Sequence, residues 1–138
     1  MTAIDTPEID LAEPKAELEA AFRRYEAALV GNDVAALDAL FLDAPTTIRY
    51  GATENLYGYE AIASFRAGRS PAGLARSLEK TVITTFGRDF GIASTLFRRA
   101  SAPGMIGRQM QSWVRTAEGW KVAAAHVSLI ADPDGAAS

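Results

Sequence analysis

Three side chains could do chemistry without help: Tyr25 in FRRYEAAL, Arg49 in TTIRYG, and the single histidine, His126 in AAHVSLI. Arg49 stands in the middle of a short strand-like run. A guanidinium stays charged at any ordinary pH, and burying it alone is costly. Three readings are open. Its face meets water, or it pairs with Glu54 or Asp43, or it receives an anion, because the planar fork takes a carboxylate through two hydrogen bonds. Tyr25 falls on an apolar helical stripe, so it is either core or a proton donor. A phenol has an ordinary pKa of about 10, and nearby positive charge makes it a better acid. His126 is either a satisfied structural histidine or an acid–base group whose tautomer Gln109 and Ser128 could fix. Glu54 serves either the turn after the strand or the orientation of Arg49. Arg66, Arg69 and Arg76 flank a helix and its loop. Solvation is their default, but converging on Arg49 they would form a positive funnel for small anions.

Composition narrows the chemistry. The 138 residues make one ordinary domain, with 49% hydrophobic and 22% charged residues and a formal net charge of −3. Nucleic-acid binding would call for a basic stripe and is not expected. With no cysteine and one histidine, thiolate chemistry and multi-histidine zinc sites are excluded, and no metal site or cofactor is expected. GATENLYG lacks the pattern of a phosphate loop. The polar, acidic start is no signal peptide and no apolar run approaches the roughly 20 residues of a membrane span, so the expected location is cytoplasmic.

The positioning elements follow from periodicity. Residues 1–12 read as a flexible leader, 13–131 as a single domain and 132–138 as a frayed tail. Leu18, Ala21, Phe22, Tyr25, Ala28 and Leu29 recur at helical spacing and predict a helix over 14–30. Gly31-Asn32 ends it, and Asp33 caps a second helix over 34–42. A strand over 46–50 follows, with Arg49 on the face opposite Ile48 and Tyr50. A turn-rich stretch leads to a third helix over 59–67. Strands are predicted over 78–87, 89–100, 106–116 and 120–130, the last two joined by a TAEG hairpin. Three helices followed by mainly antiparallel strands give an α+β plan. The sheet curls around the helices and leaves a cone-shaped cavity suited to a small molecule.

Pairing Thr116 with Gly119 sets Gln109 opposite His126, Gln111 opposite Ala124, Trp113 opposite Val122 and Gly107 opposite Ser128. That register puts Gln109, Gln111, Trp113, His126 and Ser128 on one face, assigned to the cavity. It puts Ile106, Met110, Val114, Ala125, Val127 and Leu129 on the other, a convex apolar face suited to a homodimer or larger homo-oligomer. A slip of one residue would exchange the faces.

YEAALVGNDVAALDALF, TIRYGATENLYGYEAI, TVITTFGRDFGIASTLFRR, IGRQMQSWVRTAEGW and AAHVSLI together resemble the AtzH-like (also HpxZ-like) family. It belongs to the SnoaL-like, nuclear transport factor 2-like superfamily of cone-shaped α+β folds. The resemblance runs from about residue 15 to 131. It implies a place in bacterial breakdown of urea-like nitrogen compounds, either cyanuric acid or oxalurate. A member of the former kind decarboxylates 1,3-dicarboxyurea, with a first-helix tyrosine and a first-strand arginine implicated. The matching positions are Tyr25 and Arg49.

The resemblance implies a decarboxylase that uses Tyr25 and Arg49; the chemistry asks for no cofactor, and the roles expected are that Arg49 grips a carboxylate and Tyr25 supplies a proton to nitrogen. Arg69, Gln111 and His126 would position the second carboxylate and the urea oxygen, with Trp113, Ser128 and Glu54 completing the site. A non-catalytic partner of a pathway amidase is the other class to weigh. A proton-shuttling isomerase would need an inward carboxylate base, and the inward positions supply none.

Overall fold

The computed structural model describes residues 8–133. Helix α1 (Ala12–Val30) buries Leu18, Ala21, Phe22, Tyr25, Ala28 and Leu29, the stripe that the sequence spacing predicts. Gly31 N–H donates to Ala27 O, and Asn32 adopts a left-handed φ of 51° to end the turn. Asp33 then caps α2 (Val34–Leu40), its Oδ1 accepting from Ala36 N at 3.1 Å. α2 stops two residues earlier than expected because the sheet captures the chain. Phe41 bridges Val122, and Leu42 N–H donates to Val122 O at 2.9 Å. Helix α3 (Tyr59–Ala67) has the expected bounds.

Six strands follow the order β2-β1-β6-β5-β4-β3. They are β1 (Ile48–Tyr50), β2 (Asn55–Tyr57), β3 (Ser77–Phe86), β4 (Phe90–Arg98), β5 (Met105–Thr116) and β6 (Gly119–Ala131). All neighbours pair antiparallel except β1 and β6. The stretch after β1 is thus more than a turn, since β2 folds back on it as a hairpin. The helices pack on the inner face through Leu18, Phe22, Tyr25, Leu37, Phe41, Ile62, Trp113, Trp120 and Val122, all buried. Each such aliphatic or aromatic side chain contributes about 1.5–3 kcal/mol relative to exposure.

The end of the expected leader is docked, not loose. Ile9 bridges Phe86, and Asp10 both donates its N–H to Thr85 O and accepts Thr85 N–H on Oδ1, each at 3.0 Å. Residues 1–7 and 134–138 lie outside the described residues, and with them most of the leader and tail.

The hairpin register needs a correction. The expected pairing holds from Thr116–Gly119 to Trp113–Val122, and then β6 carries one extra residue. Ser112 pairs with Ala124, Met110 with His126, and Gln109 with Val127. This β-bulge reverses the facing of every later β6 residue. His126 and Ser128 therefore point to the outer face, away from the cavity to which the sequence reading assigned them. Ala125, Val127 and Leu129, expected outside, turn inward with Gln109, Gln111 and Trp113. The outer face is accordingly mixed. Tyr50, His126, Met110, Ser94 and Val82 form one row by successive pairing, and Tyr57 stands edge-on to Tyr50.

Candidate functional site

Arg49 projects inward because its strand neighbours Ile48 and Tyr50 take the outer face. Its side chain is 12% exposed, and its Nη1 lies 3.7 Å from Glu54 Oε1. That is an ion pair without a hydrogen bond, as neither Arg49 Nη1 nor Glu54 Oε2 finds a partner. Gly51 permits the arrangement, since a Cβ there would collide with the Glu54 carboxylate. Glu54 meets Arg49, yet leaves its fork open.

Tyr25 comes to the same place from α1. Its ring is held between Phe41 and Trp113, at centroid distances of 6.2 and 6.3 Å, and is 4% exposed. Together Tyr25, Arg49, Arg69, Arg76, Arg99 and Gln109 line an enclosed cavity of about 50 Å³, closed by Leu29, Leu74, Phe97 and Val127. Sites for drug-sized ligands run to roughly 300–1,000 Å³, so this chamber suits a compact molecule. Wider clefts exist, such as one of about 410 Å³ beside Asp43, Tyr57 and Tyr59. They are open to solvent and gather no comparable charge.

The arginines differ in their partners. Arg76 is bound to Glu26 through two bonds (Nε to Oε2 2.8 Å, Nη2 to Oε1 2.6 Å), and its Nη2 also donates to Gln109 Oε1 at 3.0 Å. Arg69 and Arg99 have no carboxylate partner among the described residues. Arg69 Nε and Nη2, Arg99 Nε, Arg49 Nη1 and Gln109 Nε2 are all buried donors without an acceptor in the protein. Buried polar groups are nearly always matched, so five in one chamber call for an explanation. Burial, then the charges of Arg49 and Arg66, holds the Arg69 guanidinium below its usual pKa; burial and Arg76 do the same to Arg99. Four guanidiniums against the two carboxylates Glu26 and Glu54 leave two positive charges unmatched. A small dianion answers both the open donors and the excess charge.

The expected site residues divide accordingly. Tyr25, Arg49 and Arg69 line the cavity, with Glu54 behind Arg49. Trp113 is fully buried behind Tyr25 and donates Nε1–H to Gln111 Oε1 at 3.0 Å, leaving Gln111 Nε2 open. His126 is exposed and lies edge-on to Tyr50, while Ser128 Oγ accepts from Arg108, both on the outer face. Arg66, one of the arginines expected to join the funnel if it formed, instead pairs with Asp38 at 2.6 Å over the Phe41 ring. Arg99 was missed. The signal was present, because Ala93, Thr95 and Phe97 alternate inward along β4 and position 99 continues that parity. Gln109 lies on the expected inner face, but its expected role beside His126 is lost with the register, because it pairs with Val127 and its Oε1 accepts from Arg76 instead. Among the described residues, no group of three or more His, Asp or Glu gathers to hold a metal ion, and no helix is long and apolar enough to cross a membrane.

A family model described as AtzH-like matches residues 7–133. No curated protein matches the chain. A protein of unknown function from the DUF3225 family of Pectobacterium atrosepticum is 53% identical, covering 94% of this chain and 100% of its own, with a TM-score of 0.91. A cystatin-like fold protein from Burkholderia xenovorans is 48% identical over 91% of this chain and 98% of its own, with a TM-score of 0.87. A nuclear transport factor 2-like protein from Pseudomonas putida is 17% identical over 99% of this chain and 96% of its own, with a TM-score of 0.72. That last likeness concerns the fold, and the chain has this α+β, cystatin-like architecture.

Proposed function

The chain belongs to the AtzH-like family, and on that premise we propose that it is a cofactor-independent decarboxylase of a small dicarboxylated urea, of which 1,3-dicarboxyurea is the type. The observation that carries this reading is the enclosed cavity in which Tyr25 meets guanidiniums with open donors and two unmatched positive charges. Such a cavity is complementary to a compact dianion.

The chemistry asks little of the protein. Arg49 grips one carboxylate and aligns it. The bond between that carboxylate carbon and nitrogen breaks, carbon dioxide leaves, and the bonding electrons stay on nitrogen. Tyr25 delivers a proton to that nitrogen, and water restores the phenol. General acid assistance of this kind contributes roughly 10²–10⁴-fold. Preorganised positive charge holds the anion in the reacting pose. Among the described residues the cavity lining carries no carboxylate, which disfavours an isomerase that needs a carboxylate base.

Self-association is part of the proposal, a second copy being the partner for the outer face at Val82, Met110 and Tyr57. These side chains are 58%, 56% and 62% exposed and lie on one face that crosses the sheet. The reaction is tested by following bicarbonate release from 1,3-dicarboxyurea, and separately from oxalurate, with purified protein. Acceleration over the spontaneous rate with the first substrate is expected. No acceleration with either would leave the accessory role beside a pathway amidase as the better reading.

A further inference from the structure

The four cavity arginines fall into two groups. Arg69 feels the charges of Arg49 and Arg66 and lies near Tyr25 and Glu54. Arg99 feels Arg76. Arg76 and Arg99 also share a platform, their guanidiniums standing 4.5 and 5.3 Å from the centre of the Phe97 ring. Phe97 occupies space that Gly107, its partner on β5, leaves open, since a Cβ at 107 would strike the ring. Each group has the same makeup. One arginine has a carboxylate beside it (Arg49 with Glu54, Arg76 with Glu26) and one has none (Arg69, Arg99). Each group therefore carries one unmatched positive charge and open N–H donors, Arg49 Nη1 and Arg69 Nε and Nη2 in one, Arg99 Nε and Gln109 Nε2 in the other.

We propose that the chamber is a two-ended dicarboxylate receptor: Arg49 and Arg69 hold the carboxylate that is lost beside Tyr25, and Arg99, with Arg76 and Gln109, holds the one that is retained. The proposal rests on the decarboxylase reading for which carboxylate reacts, and on the charge arrangement alone for the two ends. Tyr25 belongs to the Arg69 end, so the proton is delivered there. The dianion takes up one proton, loses one carbon dioxide and leaves as a monoanionic N-carboxyurea. That product answers one end only, which favours its release over a fresh dianion. Arg99 is a specificity-determining residue in this scheme. It selects a second carboxylate at a fixed distance from the first and rejects monoanions of the same length.

The test uses glutarate, an unreactive dianion with three chain atoms between its carboxylates, as in dicarboxyurea, and butyrate, the same chain with one carboxylate. Titration calorimetry on the wild type should show glutarate bound roughly 10–100-fold more tightly, the worth of one further set of charge-assisted hydrogen bonds. Arg99→Gln should erase most of that preference while changing butyrate affinity by no more than about threefold. Without ligand, Arg99→Gln should melt above the wild type, because it removes a buried charge with no partner. That readout also reports folding. Arg99→Lys, which keeps charge without the fork, should retain part of the preference and serves if the glutamine variant does not fold. An undiminished glutarate preference in both variants would overturn the proposal. If glutarate behaves as stated but dicarboxyurea is not turned over, the decarboxylase reading fails and the two-ended receptor stands.

Discussion

Glu54 stands 3.7 Å from Arg49, close enough to offset its charge and too far to share a hydrogen bond. This pairing keeps a guanidinium inside the fold at tolerable cost while leaving its fork for another carboxylate. Gly51 makes it possible by leaving room for the Glu54 side chain. In the proposed mechanism Glu54 is a positioning residue, acting through Arg49.

Arg49→Lys keeps the charge but loses the two-pronged grip. We expect kcat/KM for dicarboxyurea to fall by at least about 10-fold, and Arg49→Ala to fall further. Steady-state kinetics on the three proteins checks this. Near-normal rates for the lysine variant would mean that charge attraction alone suffices.

Gly107→Ala should destabilise the protein by about 1–3 kcal/mol, the usual cost of overpacking a close-fitted interior. The added methyl group meets the Phe97 ring, which underlies both Arg76 and Arg99. Chemical denaturation measures the stability. Glutarate affinity should fall alongside it, as the platform shifts.

Asp10 ties the start of α1 to β3, and the Thr85 N–H it accepts, followed by its Lys15 contact, holds its carboxyl below the usual value. A depressed carboxylate pKa contributes stability that is present above the unfolded value and lost as pH falls through the folded one. Asp10→Asn keeps the acceptor and tolerates the left-handed φ of 60°. It should lower the melting temperature slightly at pH 7. The difference from wild type should shrink as pH drops below about 4. A gap that is independent of pH would assign the effect to packing.

Met110 sits at the middle of the outer row and is 56% exposed. Met110→Glu should convert the proposed self-associated form to monomer in light scattering, because a dimer interface would bury the new charges without partners. Unchanged mass would show that this face is not the interface.

Much of this was legible in the sequence, for identifiable reasons. Tyr25 and Arg49 stood out because each conflicts with its local pattern, a phenol on an apolar stripe and a charge in the middle of a short strand. The three helices followed from 3.6-residue spacing, and Asp33 marked the start of the second. The facing of β6 was not legible. One extra residue opposite Ser112 and Trp113 turned His126 and Ser128 outward, and nothing in AAAHVSLI marks that bulge. Arg99 was hidden differently. It adjoins Arg98, which pairs outward with Glu79 and Asp132, so the two read together as a surface pair. Only their opposite parity separates them. The convergence of Arg69 and Arg76 depends on a loop whose path no periodicity describes.

The most direct test compares wild type with Tyr25→Phe on carboxylate-labelled 1,3-dicarboxyurea, followed by carbon NMR. Phenylalanine preserves the ring that packs between Phe41 and Trp113, so glutarate affinity should stay within about threefold of wild type. Turnover at saturation should drop roughly 10²–10⁴-fold, with N-carboxyurea accumulating faster than the spontaneous rate chiefly in the wild-type reaction. Equal rates in the two proteins would contradict the account, since the phenol would then supply no proton.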